Sequence, residues 1–174
     1  NIFTTNYELV KELVESIVVC TKVIIGGLST KELYKFILSW QTTNPIDIVM
    51  GDGELITLDI VTDTLKEAAF LTENNRRVFK ADGCSRYLVQ DISNISLDRT
   101  FFKNEPVVHP LGFLEANIVT SRGCIYNCTF CAAARSLNKS YPVRDRSADS
   151  IIQELQHIRS VYPEVNSIRV LDDL

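Results

Sequence analysis

Apolar side chains recur at Leu9, Val10, Leu13, Val14 and Ile17. That is the three-and-four spacing of one helix face, and it predicts an amphipathic helix over roughly residues 6–18. The stretch Lys22-Val23-Ile24-Ile25 is short and apolar and runs into Gly26-Gly27, which predicts a buried strand and a tight turn. Ser29-Thr30-Lys31-Glu32 has the form of a capping box, with the Ser29 hydroxyl and Glu32 carboxylate available to the free amides of a helix running to about Trp40. Ile46-Asp47-Ile48-Val49-Met50 reads as a second buried strand. Gly51-Asp52-Gly53-Glu54 turns from it into a helix expected to end near Ala69. Strand and helix alternating at this spacing predict a parallel, doubly wound sheet.

The pattern then changes. Residues 77–80 and 85–89 are two β-favouring runs around Ala81-Asp82-Gly83, and they predict a hairpin with a glycine turn. Residues 91–112 lack a clear period, carry Pro106 and Pro110, and read as a connecting segment. Ala116-Asn117-Ile118-Val119-Thr120 is a strand pattern leading into Ser121-Arg122-Gly123-Cys124. Ser147 can cap a helix with the apolar face Ile151, Ile152, Leu155 and Ile158, and Asp149 suits its positive end. A last strand pattern follows from Ser167 to Asp173. These elements make one β-loop-α-β unit, and no internal repeat is visible.

Composition adds limits. The chain has 174 residues, 45% of them hydrophobic, and a formal charge of −4. The mixed signs give no broad surface for nucleic acid or membrane. No apolar run reaches membrane-span length, and no basic start leads into an apolar core. Five cysteines, an odd number with three clustered, argue for a reducing cytoplasm and a metal or cofactor site over a disulfide framework. The chain opens on Asn1 and stops just after the last strand pattern. A fragment of a longer protein is therefore expected, inactive by itself and with a strand edge left to pair.

Cys124, Cys128 and Cys131 stand at Cys-x3-Cys-x2-Cys spacing. Thiolates favour zinc, copper(I) or iron–sulfur clusters. A structural zinc site takes four protein ligands, and no fourth is nearby. Cys20 and Cys84 lie in the other half of the sequence and read as small core or surface residues. A cubane cluster held by three thiolates keeps one iron open.

The motif, with Phe130 just before the last cysteine, resembles the signature of the radical S-adenosylmethionine (SAM) enzymes. The resemblance implies a [4Fe–4S] cluster on Cys124, Cys128 and Cys131. In that family the open iron binds the methionine part of SAM, and reductive cleavage yields a 5′-deoxyadenosyl radical. An electron donor such as flavodoxin or ferredoxin is implied too. Phe130 would lie near the adenine, and Asp172 and Asp173, at the end of the second barrel strand, would meet the SAM amino group. Ser140-Tyr141-Pro142-Val143-Arg144 resembles the segment before the first barrel helix.

Gly26-Gly27 and Gly51-Asp52-Gly53-Glu54 resemble the second half of a cobalamin-binding Rossmann-like domain. This implies that Gly26, Gly27, Gly51, Gly53 and Glu54 border a cobalamin. The family's Asp-x-His-x-x-Gly element is absent. The implied fold is α/β: the C-terminal half of a cobalamin-type parallel sheet over residues 1–70, a hairpin and connecting segment over 71–112, and the first β-α-β unit of a radical SAM partial barrel over 113–174. The implied chemistry is methyl transfer or a related radical reaction on a small-molecule or peptide substrate. The alternatives are a methylthiotransferase-like radical SAM enzyme without cobalamin, and a non-catalytic iron–sulfur or zinc module. The cysteine count in the first half lowers the former. His109, before a proline, and His157, on a helix, read as structural or solvated. Trp40 reads as packing.

Overall fold

A computed structural model describes residues 3–66, 68–81, 86–95, 97–101, 106–131, 133, 134, 137–139 and 141–172. Gly83, Cys84, Ser85, Ser140 and Asp173, to which expectations were attached, lie outside these residues. The chain is mixed α/β with parallel strands, and it divides into two compact units, residues 1–89 and 90–174.

In the first unit, strands β1 (Val23–Ile25), β2 (Ile46–Met50), β3 (Leu71–Glu73) and β4 (Arg76–Lys80) form one sheet in the order β1-β2-β4-β3. β1, β2 and β4 run parallel, and β3 is antiparallel to β4. Strand alternation sends neighbouring residues to opposite faces. Ile46, Ile48, Met50 and Val78 pack with Val14 of α1 (Tyr7–Ser16) and Ile37 of α2 (Thr30–Ile37), around the buried Trp40. Val49 and Phe79 pack with Ile56 and Ile60 of α3 (Glu54–Val61). Every residue of β2 is buried, as a central strand covered on both faces requires.

Several expectations are corrected here. α1 ends at Ser16, where the Ser16 hydroxyl returns to the Leu13 carbonyl, and its buried face runs through Tyr7, Val10 and Val14; Leu9 and Leu13 are exposed. The Ser29 side chain makes no cap; the Thr30 hydroxyl lies 2.7 Å from Gly27 O and 2.9 Å from Val49 O. α2 stops at Ile37, short of Trp40. α3 stops at Val61, not near Ala69, because Asp63 adopts a left-handed conformation (φ 56°). The hairpin also moves: residues 76–80 pair with the preceding strand 71–73 through a turn with left-handed Asn74, and β4 joins the first sheet beside β2. The first unit therefore runs to residue 89.

In the second unit, β6 (Leu114–Ile118) lies between β5 (Val107–Val108), antiparallel to it, and β9 (Ser167–Val170), parallel to it. The crossover from β6 to β9 contains α4 (Ala148–Val161). Ser147 caps α4 as its sequence predicts, its hydroxyl accepting from the Ser150 amide at 3.2 Å. Ile158 is buried with Ala116, Ile118 and Tyr162, and Ile151 and Leu155 pack against them; Ile152 is exposed. A second pair, β7 (Ser121–Arg122) and β8 (Arg144–Asp145), is antiparallel.

Candidate functional site

The thiol-bearing segment is the excursion between β7 and β8, residues 123–143. β6 does not run directly into the cysteines: Val119 and Thr120 bridge to β7, and only then does Gly123 turn the chain toward Cys124. Gly123 has φ 86°, and a Cβ there would stand 3.4 Å from Pro142 O and Val143 Cα. The two ends of the excursion thus lie side by side with room for a Cβ at ordinary contact distance, and it is the left-handed φ that asks for glycine.

All three cysteines carry free thiols. Cys124 and Cys131 are half-buried and Cys128 is exposed. Cys124 Sγ accepts from the Tyr126 amide at 3.4 Å. The Cys131 amide donates to Cys128 O at 3.2 Å, and the Ala134 amide to Cys131 O at 3.0 Å, so this part of the loop is a chain of tight turns. Phe130 is 91% exposed, with Ile125 and Tyr126 also open to solvent. Among the described residues, no three His, Cys, Asp or Glu side chains are gathered closely enough to hold a metal ion. As a donor set the trio suits a soft-metal cluster: three thiols free of disulfides on one loop. Its present arrangement is not a closed cage.

Asp172 lies just past β9. Its carboxylate accepts from the Thr120 amide at 2.7 Å, the Ser121 amide at 3.0 Å and the Thr120 hydroxyl. Burial opposes ionisation, but these hydrogen bonds outweigh it and hold the carboxyl below the usual aspartate range. Nearby, a cavity of about 240 Å³ is bordered by Arg99, Asn117, Val119, Arg122, Arg146 and Glu154. Glu154 accepts from Arg99 through one carboxylate oxygen and from Arg146 through the other. Burial pushes the Glu154 carboxyl up, and the two guanidinium groups more than reverse this. The two arginines bridged by one carboxylate read as a structural ion cluster with a net charge of +1. Nothing local in the sequence announces it, since Arg99 and Glu154 are 55 positions apart.

In the first unit the glycine-bearing turns follow β1 and β2, side by side at the C-terminal edge of parallel strands. That is where α/β sheets build ligand sites. Gly27 (φ 124°) and Gly51 (φ 108°) require glycine by conformation; Gly26 and Gly53 do not. Glu54 opens α3. His109 accepts from the Leu111 amide through Nδ1 and packs against Phe113, and His157 is exposed on α4. Trp40 is core, its Nε1 donating to Tyr7 Oη at 2.8 Å. Cys20 is exposed.

No family model matches the chain, and no solved structure matches it significantly. A protein of Pyrococcus horikoshii named as an uncharacterized methyltransferase is 29% identical to this chain over 131 residues, covering 72% of this chain and 28% of that relative. The chain therefore spans less than a third of that relative's length. Among the described residues, no helix is long and apolar enough to cross a membrane.

Proposed function

We propose that this chain belongs to a radical SAM enzyme of the type that carries a cobalamin-binding domain, acting in methyl transfer or a related radical reaction. The observation that carries the reading is the loop itself: three free thiols at Cys-x3-Cys-x2-Cys spacing, on the excursion from β7 that follows parallel strand β6 in a β-α-β unit. Cys124, Cys128 and Cys131 would hold a [4Fe–4S] cluster, which when bound supplies the electron for reductive cleavage of SAM. Because the thiols are not already gathered, binding and loop folding are coupled, as they commonly are at metal sites. Phe130, exposed beside Cys131, offers a ring face to a planar base. The name of the Pyrococcus relative supports the methyl-transfer class. The glycine turns after β1 and β2 are the proposed cobalamin border, with Gly26, Gly53 and Glu54 beside the two conformationally required glycines. SAM as methyl donor or radical source is common to these readings.

The test is anaerobic reconstitution of the chain with iron and sulfide, followed by metal and sulfide analysis and spin-resonance spectra. About four irons and four sulfides per chain are expected. Cys124→Ser, Cys128→Ser and Cys131→Ser should each abolish this uptake, while Cys20→Ser should not. Zinc without sulfide would overturn the reading in favour of a zinc module. Cobalamin titration separates the two radical SAM types: no binding favours the methylthiotransferase-like alternative.

A further inference from the structure

Residues 118–121 bridge the main sheet of the second unit to the thiol loop, and they are held from two sides. The Leu171 amide donates to Ile118 O at 2.8 Å, continuing the β9 ladder, and Asp172 then takes the Thr120 amide, the Ser121 amide and the Thr120 hydroxyl. From the other side the Arg146 amide donates to Thr120 O at 2.9 Å, and Arg146 Nη1 donates to Val119 O at 2.9 Å. Downstream, β7 pairs with β8, and Gly123 crosses Pro142 and Val143. The base of the loop is therefore fixed by long-range bonds, while its tip is a chain of exposed turns.

We propose that Asp172 is a positioning residue for the thiol loop: its carboxylate clamps Thr120 and Ser121 and so sets the direction in which Cys124 leaves the sheet. A carboxylate has about four acceptor sites. The chain's own donors use three of them, which makes Asp172 a poor candidate for a ligand's ammonium. The clamp acts at a distance that matters. Cys124 lies four residues beyond Thr120, at most about 13 Å of chain and less with the turn at Gly123, so a rotation at the base is carried into a displacement of the first thiol. Preorganised sites are held by such supporting bonds on rigid elements. As a statement about joint metal ligation, the proposal rests on the reading of the three cysteines given above.

The experiment uses the full chain, reduced and free of metal, under argon. Iodoacetamide labelling is followed site by site by mass spectrometry, with Cys20 as the reference thiol. Asp172→Ala should accelerate labelling of Cys124 and Cys131 relative to Cys20 by about tenfold, the scale of losing hydrogen bonds to a charged acceptor. Thr120→Val, which removes only the hydroxyl donor, should act in the same direction and less strongly. Asp172→Asn, which keeps the shape and one acceptor, should restore part of the protection. At limiting iron and sulfide, the same order should appear in cluster occupancy. Amide exchange at Thr120 and Ser121 checks that the clamp was released. If that exchange quickens while the loop-to-Cys20 ratio stays unchanged, the clamp does not position the thiols and the proposal fails. If exchange does not change at all, the bonds are not formed in solution and it fails equally. Should Asp172→Ala not fold, Thr120→Val and Asp172→Asn decide by the same criteria. Wild-type protein that takes up no iron–sulfur cluster would sink the functional reading, and the labelling ratio would still judge the clamp.

Discussion

Replacing Glu154 by alanine is the sharpest test of what holds the second unit together. The Glu154 side chain is 12% exposed, and the arginine side chains it joins are 1% (Arg99) and 9% (Arg146) exposed. One carboxylate thus bridges two arginine cations and leaves the cluster with a net charge of +1. Arg99 also donates to Asn117 O, and Arg146 to Ser150 Oγ at 2.9 Å, so neither arginine can swing out without breaking further bonds. Glu154→Ala leaves both cations buried beside each other. Removing one partner of a buried pair costs about 3–5 kcal/mol, a large share of the about 5–15 kcal/mol that a domain possesses. With a urea slope of about 1.5 kcal/mol per molar, the midpoint for this unit should fall by about 2–3 M. The assay is urea unfolding followed by circular dichroism, with amide exchange in β6 and α4 to localise the change. Glu154→Gln, which keeps one of the two acceptor oxygens and loses the charge, should lose less. The triple change Arg99→Met, Arg146→Met and Glu154→Leu removes every charge at once and should lie within about 1 kcal/mol of wild type, or above it. If Glu154→Ala costs under about 1 kcal/mol, the cluster is not a buried, mutually dependent unit, and the reasoning is refuted.

Three further outcomes follow from the geometry. Glu154 and Asp172 are both held below their ordinary carboxyl values of 4.5 and 3.8, so the unfolded chain binds more protons than the folded one as the pH falls. Their contribution is complete above about pH 4.5 and is lost as the pH drops through the lower folded values; urea midpoints that rise on acidification would contradict this. Gly123→Ala must hold a left-handed φ of 86° and should cost about 1–3 kcal/mol, read as a lower thermal midpoint; Gly53→Ala, with ordinary φ and 3.7 Å of room, should cost far less. Trp40→Phe removes the bond to Tyr7 Oη and leaves unfilled volume in the first core, at a cost of about 2 kcal/mol in chemical denaturation.

What the sequence discloses divides by range. Short continuous apolar runs foretold β1 and β2, the capping-box pattern foretold α2, and helical periodicity foretold α1 and α4, whose spacing records the face each buries. The same logic failed where a single side chain ends an element. Leu65 and Ala69 keep an apolar pattern going, yet left-handed Asp63 closes α3 before them. It failed for β4, whose five residues fit a hairpin on either side; Asn74, which accepts a left-handed turn, decided for the preceding strand. The cysteine trio was legible because its three thiols lie within one short loop. The clamp and the ion cluster were not, since Asp172 meets Thr120 across 52 positions and Arg99 meets Glu154 across 55. No local pattern encodes a partner so distant in sequence.

The same separation says how the thiol loop comes to be ordered. The thiol loop carries exposed residues from Ile125 to Phe130, and such a segment has little local stability of its own. Order has to be imported through the base. Here the base closes only when β9 has docked on β6, because Asp172 and Leu171 arrive with that strand. α4 contributes the second hold indirectly: Glu154 on α4 fixes Arg146, and Arg146 grips Val119 and Thr120. The β-α-β unit is thus the support for the cysteines as well as a segment of sheet. Damage to the ion cluster should therefore reach the thiols through Arg146. Glu154→Gln, at urea concentrations where the unit stays folded, should raise the labelling of Cys124 relative to Cys20, though no Glu154 atom touches the loop. If the ratio holds constant while stability falls, the two holds act separately, and Asp172 alone sets the course of the chain into Cys124.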